Sequence, residues 1–422
     1  MVAERPVTRC GQKSLARICR SDYIPRMPAP IALVPDGQIS VETTNAPRSE
    51  RLLSLDIFRG LAVAGMIIVD NPGSDDHAFW AIKHAEWNGW TPADLIFPSF
   101  LFLVGISIVF SVESRLERGE TRGKLLSHVL KRSLLLIAIG LLVNASPIYG
   151  FDLHTFRFEG VTQRIALCYL VTTLLELNAG LRWQIVALAV CLAGYWVLLR
   201  FAPVPGVGTP GHEIPFMDPD QNITAWLDRS LFMGHLYNGT RDPEGILSTI
   251  PAIGTTLIGL LTGHWLRTRR SAETILAGLV GFGVAGLLAG KVWNLSFPIN
   301  KNLWTSSFAL FTGGFALLFL ALLYWVVEVK KWRGLWTMPI LVLGVNAIAG
   351  FVADSLVYGP GYTFMATGPD GQKLSWHEAT QAFLERTGLS AANASLVYSL
   401  CALVFCWLLL WGLWRKKILL KV

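Results

Sequence analysis

Residues 94–112 read Asp94-Leu95-Ile96-Phe97-Pro98-Ser99-Phe100-Leu101-Phe102-Leu103-Val104-Gly105-Ile106-Ser107-Ile108-Val109-Phe110-Ser111-Val112. After the opening carboxylate no charged side chain occurs in this stretch. At about 1.5 Å per residue a helix of this length crosses roughly 30 Å of hydrocarbon. In lipid the segment must be helical, because each backbone donor needs a partner inside the segment. Comparable apolar runs occupy 53–70, 131–148, 161–177, 183–200, 248–266, 273–290, 303–327, 337–357 and 394–414. The reading is an all-α membrane protein, a polytopic bundle of about ten transmembrane helices.

Composition agrees. Apolar residues make up 52% of the chain and charged residues 15%, against about a quarter charged in soluble domains. That excludes a soluble globular fold. The net charge of +7 does not indicate nucleic acid, because the cations cluster beside the apolar blocks, where topology explains them. Arg115, Arg118, Arg122, Lys124, Lys131 and Arg132 follow the second run; Arg267, Arg269 and Arg270 follow the sixth; Lys330, Lys331 and Arg333 follow the eighth; Arg415, Lys416, Lys417 and Lys421 close the chain. With ten spans all of these fall on one side. The connections 71–93, 149–160, 201–247, 291–302 and 358–393 are poorer in cations and fall on the other. Both termini are therefore expected in the cytoplasm and the long connections outside, as for a multi-pass protein of a bacterial inner membrane.

Residues 1–50 hold many Arg and Pro residues without the apolar centre of a signal peptide, and read as a disordered cytoplasmic tail. Loop 201–247, rich in Pro, Gly and Asp, reads as an ordered outer lid. Cys10, Cys19, Cys168, Cys191, Cys401 and Cys406 include no CxxC pair, so neither a disulfide framework nor a metal site is expected. GxSxG, Walker, HExxH and HxxxxD patterns are missing.

A bare bundle needs few polar residues away from its ends, so those that interrupt it carry information. Asp70-Asn71 ends the first run, His84 lies in the loop that follows, and Thr91 to Asp94 opens the second run. Gln163-Arg164 opens the fourth, Asp242-Pro243-Glu244 the sixth and Asn300-Lys301-Asn302 the eighth, while Asp354 lies near the exit of the ninth. By the charge topology all seven arrive at the outer level, as the parts of one site would. Helix starting explains two of them equally well: Thr91-Pro92-Ala93-Asp94 supplies an N-cap, a proline at N1 and a carboxylate at N3, and Asp242-Pro243-Glu244 reads the same way. Arg164, inside an apolar run, needs an anion or carbonyl partner, and pairing with Asp70 is one solution. Among eight histidines, His84 sits in Lys83-His84-Ala85-Glu86-Trp87-Asn88-Gly89-Trp90, where an imidazole titrating near neutrality can carry protons or an acyl group.

These blocks resemble the heparan-α-glucosaminide N-acetyltransferase family and its bacterial relatives. The resemblance runs through Arg51 to Gly60 (RLLSLDIFRG), His84 to Gly89 (HAEWNG), Thr91 to Pro98 (TPADLIFP) and Thr162-Gln163-Arg164. It continues through Asp242 to Leu247 (DPEGIL), Pro298 to Trp304 (PINKNLW) and Gly344-Val345-Asn346-Ala347. It implies that 51–422 form a transmembrane acyltransferase domain. Acetyl would pass from cytoplasmic acetyl-CoA, as co-substrate and without a metal, to a glucosamine-like amino sugar or glycan on the periplasmic face.

The family's active-site histidine falls on His84, and its asparagine on Asp70 or Asn71. On this reading His84 is general base or transient acetyl carrier. Asn71 or Asn302 polarises the carbonyl, while Asp70, Asp94 or Glu244 orients His84 or the ammonium. Arg164, Gln163, Asn300, Lys301, Asn302 and Asp354 contact the acceptor, and Arg59, Arg132 and Arg182 hold the phosphates of acetyl-CoA. A homodimer in the bilayer is an open expectation; nucleic acid is not a partner. The rival readings are an O-acyltransferase of a surface polysaccharide and a sugar or anion transporter.

Overall fold

The structure, a computed structural model, describes residues 52–145, 152–367 and 371–418. The tail expected at residues 1–50 lies outside the described residues, as do Cys10, Cys19 and Lys421. Among the described residues there are thirteen α-helices. In order they are α1 (Leu53–Asp70), α2 (Ile96–Glu117), α3 (Arg122–Asn144), α4 (Val161–Asn178), α5 (Leu181–Phe201), α6 (Ile223–Phe232), α7 (Thr249–Leu266), α8 (Ala272–Trp293), α9 (Ser306–Tyr324), α10 (Thr337–Val345), α11 (Ala347–Thr363), α12 (Trp376–Arg386) and α13 (Ala391–Arg415). One antiparallel hairpin, β1 (Met365–Thr367) with β2 (Lys373–Ser375), joins α11 to α12.

The fold is a helical membrane bundle, but among the described residues length and apolar composition mark six membrane-crossing helices rather than ten, or seven if α10 and α11 are taken as one span. The six are α2 with the 3-10 turn Pro92–Leu95 before it, α3, α5, α8, α9 with its Trp325–Val329 extension, and α13. Packing explains the shortfall. In α3, α5, α8 and α13 only 22% of the apolar stretch is buried inside the protein, so their surfaces must suit lipid. The 18-residue helices α1, α4 and α7 bury polar side chains instead: Asp56 in α1, Arg164 and Thr172 in α4, and Thr255, Thr256 and Thr262 in α7. Protein encloses those groups, and the segments carry more polar or charged residues than a lipid-facing span does.

A second correction concerns 337–357, read as one run. It is two helices meeting at 87°, because Asn346 leaves the helical region at φ −120°, ψ 47°. Asn346 is 1% exposed and its side-chain amide donates to the Ile418 carbonyl. Irregular backbone at membrane depth is tolerated where protein surrounds it. The break sends α11 toward the end of α1, which brings Asp354 to Asn71.

Between α1, α2, α7 and α9 the core holds Ile57, Phe58, Phe102, Ile106 and Leu320. The tightest approach is α2 on α7. A methyl added at Gly105 would meet the Thr256 carbonyl, and one at Gly259 the Phe102 carbonyl. Small residues at such spacings let backbones approach in membranes. Gly259→Leu is expected to cost about 1–3 kcal/mol or more and to lower the unfolding temperature in detergent. Gly281→Leu, where nothing lies within 4 Å, leaves it near wild type, and equal midpoints for the two variants would contradict this packing.

Candidate active site

Three connections build the centre. The first carries His84 between α1 and α2, held by a carboxylate with no exposed surface, Asp94. One carboxylate oxygen, Oδ2, accepts from the Thr91 N–H at 2.9 Å, the Thr91 hydroxyl at 3.2 Å and the Ala85 N–H at 3.2 Å. The other, Oδ1, meets His84 Nδ1 at 2.8 Å and Lys301 Nζ at 3.6 Å. Asp94 thus serves the helix start with one oxygen and contacts His84 with the other. Because a carboxylate only accepts, His84 donates from Nδ1, which in the neutral ring leaves the lone pair on Nε2.

Lys301 arrives on the connection before α9, its Nζ 3.1 Å from both ring nitrogens of His84. Equidistant from the two nitrogens, the ammonium lies against the imidazole rather than along the Nε2 lone pair, which stays open to a substrate. Two hydrogen bonds hold this loop to the first: Gly89 N–H to the Ile299 carbonyl at 2.7 Å and the Asn300 amide to Asn88 Oδ1 at 3.3 Å. Asn300 itself is fully buried, its Oδ1 accepting from the Leu303 N–H. Trp304 ends the loop at φ 49°, a left-handed conformation rare outside glycine. It is held there by burial and by its indole donating to Thr255.

Beside this pair lies a carboxyl cluster. Asp70 hydrogen-bonds Asp354 and is within electrostatic reach of His84, Lys301 and Glu244. Asn71 donates to Asp354 at 2.6 Å and to the Ile67 carbonyl at 2.9 Å. Both of its N–H groups are thus engaged, and neither is left to polarise a substrate carbonyl.

The third connection brings Glu244, and Arg157 secures it. Arg157 forms two bonds to Asp242, at 2.7 and 2.5 Å, and one to Glu244 at 2.5 Å. Those carboxylates hold the Arg157 guanidinium above its ordinary pKa, against the opposing effect of burial. Sequence reasoning missed Arg157; the signal was an arginine standing alone in a cation-poor outer connection. Arg164 does not pair with Asp70. It donates to the Gly245 carbonyl and the Ser248 hydroxyl, with its guanidinium 5.3 Å from the Trp304 ring. Gln163 is buried, its amide on the Phe158 carbonyl. Asn302 sits in a small recess with Trp87, Asp228 and Arg241.

The structure thus gathers Asp70, Asn71, His84, Asp94, Glu244, Lys301 and Asp354, with Arg164 and Asn300 as supports; Gln163 packs instead against Gly140 and Gly160. Arg59, Arg132 and Arg182 lie apart from it. Arg59 bonds Asp56 and Ser107, Arg132 lies over Tyr169, and Arg182 is exposed at the start of α5. Among the described residues no cluster of His, Cys, Asp or Glu suits a metal ion.

Fold and site together define a helical membrane protein with a His–Asp–Lys centre where its longer connections meet. Over residues 51–289 the chain matches the family described as heparan-alpha-glucosaminide N-acetyltransferase, catalytic, and it belongs to that family. It is 34% identical to the human heparan-alpha-glucosaminide N-acetyltransferase over 358 residues, 72% of this chain and 53% of the human one. With the mouse protein of that name the identity is 32% over 369 residues, 74% of this chain and 55% of the mouse one. The chain thus spans about half the length of these curated relatives. The matched stretch contains His84, Asp94 and Glu244; Lys301 and Asp354 lie beyond it.

Two buried acids frame the Glu244 turn and make a pH prediction. Burial pushes Glu159 up to about 9, with Asp228 and Asp242 adding to the rise and Arg164 and Arg157 opposing it. Burial also pushes Asp228 up to about 7. A carboxyl raised by folding keeps a proton that the unfolded chain has lost, so stability falls as pH rises from the unfolded to the folded value. The unfolding temperature should therefore fall between pH 5 and 9, Glu159's window running from 4.5 to about 9. Glu159→Gln should flatten that slope, and an unchanged slope in the variant would remove Glu159 as its cause.

Proposed function

We propose that this protein is a membrane acetyltransferase that passes acetyl from cytoplasmic acetyl-CoA to the amine of a glucosamine-like sugar on the periplasmic face. The observation that carries the reading is His84 held by buried Asp94 through Nδ1, with Lys301 against its ring, in a chain of this family. The surroundings favour a cationic amine. With one proton shared between Asp70 and Asp354, that pair and Asp94, Asp242 and Glu244 still outnumber Arg157, Arg164 and Lys301 by one charge, and an acidic cleft concentrates cations.

His84 acts as general base. The amine nitrogen attacks the thioester carbonyl carbon, the C–N bond forms and the C–S bond breaks. The proton lost by the amine passes to His84 Nε2 and from there to the departing sulfur, so the thiol leaves neutral. Asp94 keeps Nδ1 protonated and steadies the imidazolium in between. Lys301, against the His84 ring, faces the oxyanion. It takes the polarising role that Asn71, with both N–H groups engaged, cannot fill. Glu244 and Asp70 receive the acceptor as an ammonium, and Glu244 takes the first proton, which frees the nitrogen lone pair for attack; His84 takes the second.

Ten crossings follow when the polar 18-residue helices α1, α4 and α7 are counted with α11 and the six lipid-facing or apolar spans. Both termini then lie in the cytoplasm of a bacterial inner membrane, with the cation-rich connections beside them. Arg59, Arg132 and Arg182 fall on that side, where guanidinium groups suit the phosphates of acetyl-CoA.

Purified protein is expected to acetylate glucosamine with acetyl-CoA. His84→Ala and Asp94→Asn should each lower kcat by roughly 10²–10⁴-fold, and Lys301→Ala by about 10²–10³-fold. Wild-type turnover by His84→Ala would end the assignment.

A further inference from the structure

We propose that Tyr237 is the platform on which the pyranose ring of the acceptor stacks, an inference that rests on the acetyl-transfer reading and names how its acceptor is held. Tyr237 lies on the connection between α6 and α7, five residues before Asp242. Its side chain is 61% exposed, yet it is not free to wander. Its backbone N–H donates to Asp242 Oδ2 at 3.1 Å, and the Arg157 guanidinium lies 4.7 Å from its ring centroid. That guanidinium is itself fixed by its bonds to Asp242 and Glu244.

One face of the ring is therefore occupied by a cation and the outward part is open. The ring is also within electrostatic reach of Asp70, Glu244 and Asp242, so it stands beside the carboxyl groups assigned to the ammonium. Trp80 and Trp376 are also exposed; Tyr237 differs in being joined through Arg157 and its own N–H to the carboxylates of the site. The chemistry matches an aminopyranose. The C–H face of the sugar lies against the aromatic face and removes apolar surface from water, while the amine points toward Glu244 and Asp70. An amine without a ring satisfies the carboxylates but gains nothing from the platform. Tyr237 accordingly sets the preference for ring-bearing amines and takes no part in proton transfer.

The test measures acetyl transfer by the purified full-length protein with acetyl-CoA and two acceptors, glucosamine and ethanolamine. For Tyr237→Ala the KM for glucosamine should rise roughly tenfold with kcat near wild type, and the KM for ethanolamine should stay unchanged. Tyr237→Phe should keep the wild-type KM for both, which a role for the hydroxyl would not allow. Should the alanine variant fail to fold, Tyr237→Leu, bulky but without an aromatic face, is read in its place. A wild-type glucosamine KM in the truncated variant, or equal shifts for the two acceptors, overturns the platform alone. Absence of turnover by the wild-type protein with either amine overturns the acetyl-transfer reading and the platform with it.

Discussion

A carboxylate withdrawn entirely from water, Asp94, must be met by donors on all sides, since an unpaired buried charge costs several kcal/mol. Here the demand for donors organises the site. The Thr91 and Ala85 N–H groups and the Thr91 hydroxyl come to Oδ2, so the loop before α2 folds back over its own helix start. His84 comes to Oδ1, which fixes its ring and its tautomer together. Lys301, from a segment more than two hundred residues away, completes the charge balance at 3.6 Å. Replacing this carboxylate disturbs a helix start, a loop and a histidine at once.

The rest of the bundle makes such a group tolerable. Helices α3, α5, α8 and α13 present apolar surface outward, while α1, α4 and α7 carry threonines, Arg164 and the aspartates inside that screen. The break at Asn346 belongs to the same design. It turns α11 toward the end of α1, so that Asp354 accepts from Asn71 and joins Asp70. On the opposite flank Arg157 ties the Asp242–Glu244 turn to the segment before α4. The centre is held by connections from both halves of the chain.

Much of this was legible in the residues themselves. Long apolar runs announced the bundle, and polar groups stranded at helix ends pointed to the level where His84, Asp70, Glu244 and Lys301 meet. Helices α1, α4 and α7 blurred the count of spans, because hydropathy measures contact with lipid and these helices have protein neighbours. The single run read at 337–357 hid the 87° turn, since Asn346 looks like an ordinary polar interruption until its backbone angles are known. Arg157 escaped because an arginine in a loop is usually a solvated charge. Its role depends on Asp242 and Glu244, 85 and 87 residues further on. The pairing of Asp70 with Arg164 failed for the same reason: two charges that each need a partner do not reveal which partner the fold supplies.

The central claim is that His84, Asp94 and Lys301 serve transfer of an acetyl group to an amine. Mass spectrometry of the sugar recovered after incubation with isotope-labelled acetyl-CoA tests it most directly. The account predicts the label in an amide on the glucosamine nitrogen, stable to mild alkali. Label recovered only as free acetate, or in an alkali-labile ester on a sugar hydroxyl, would contradict it.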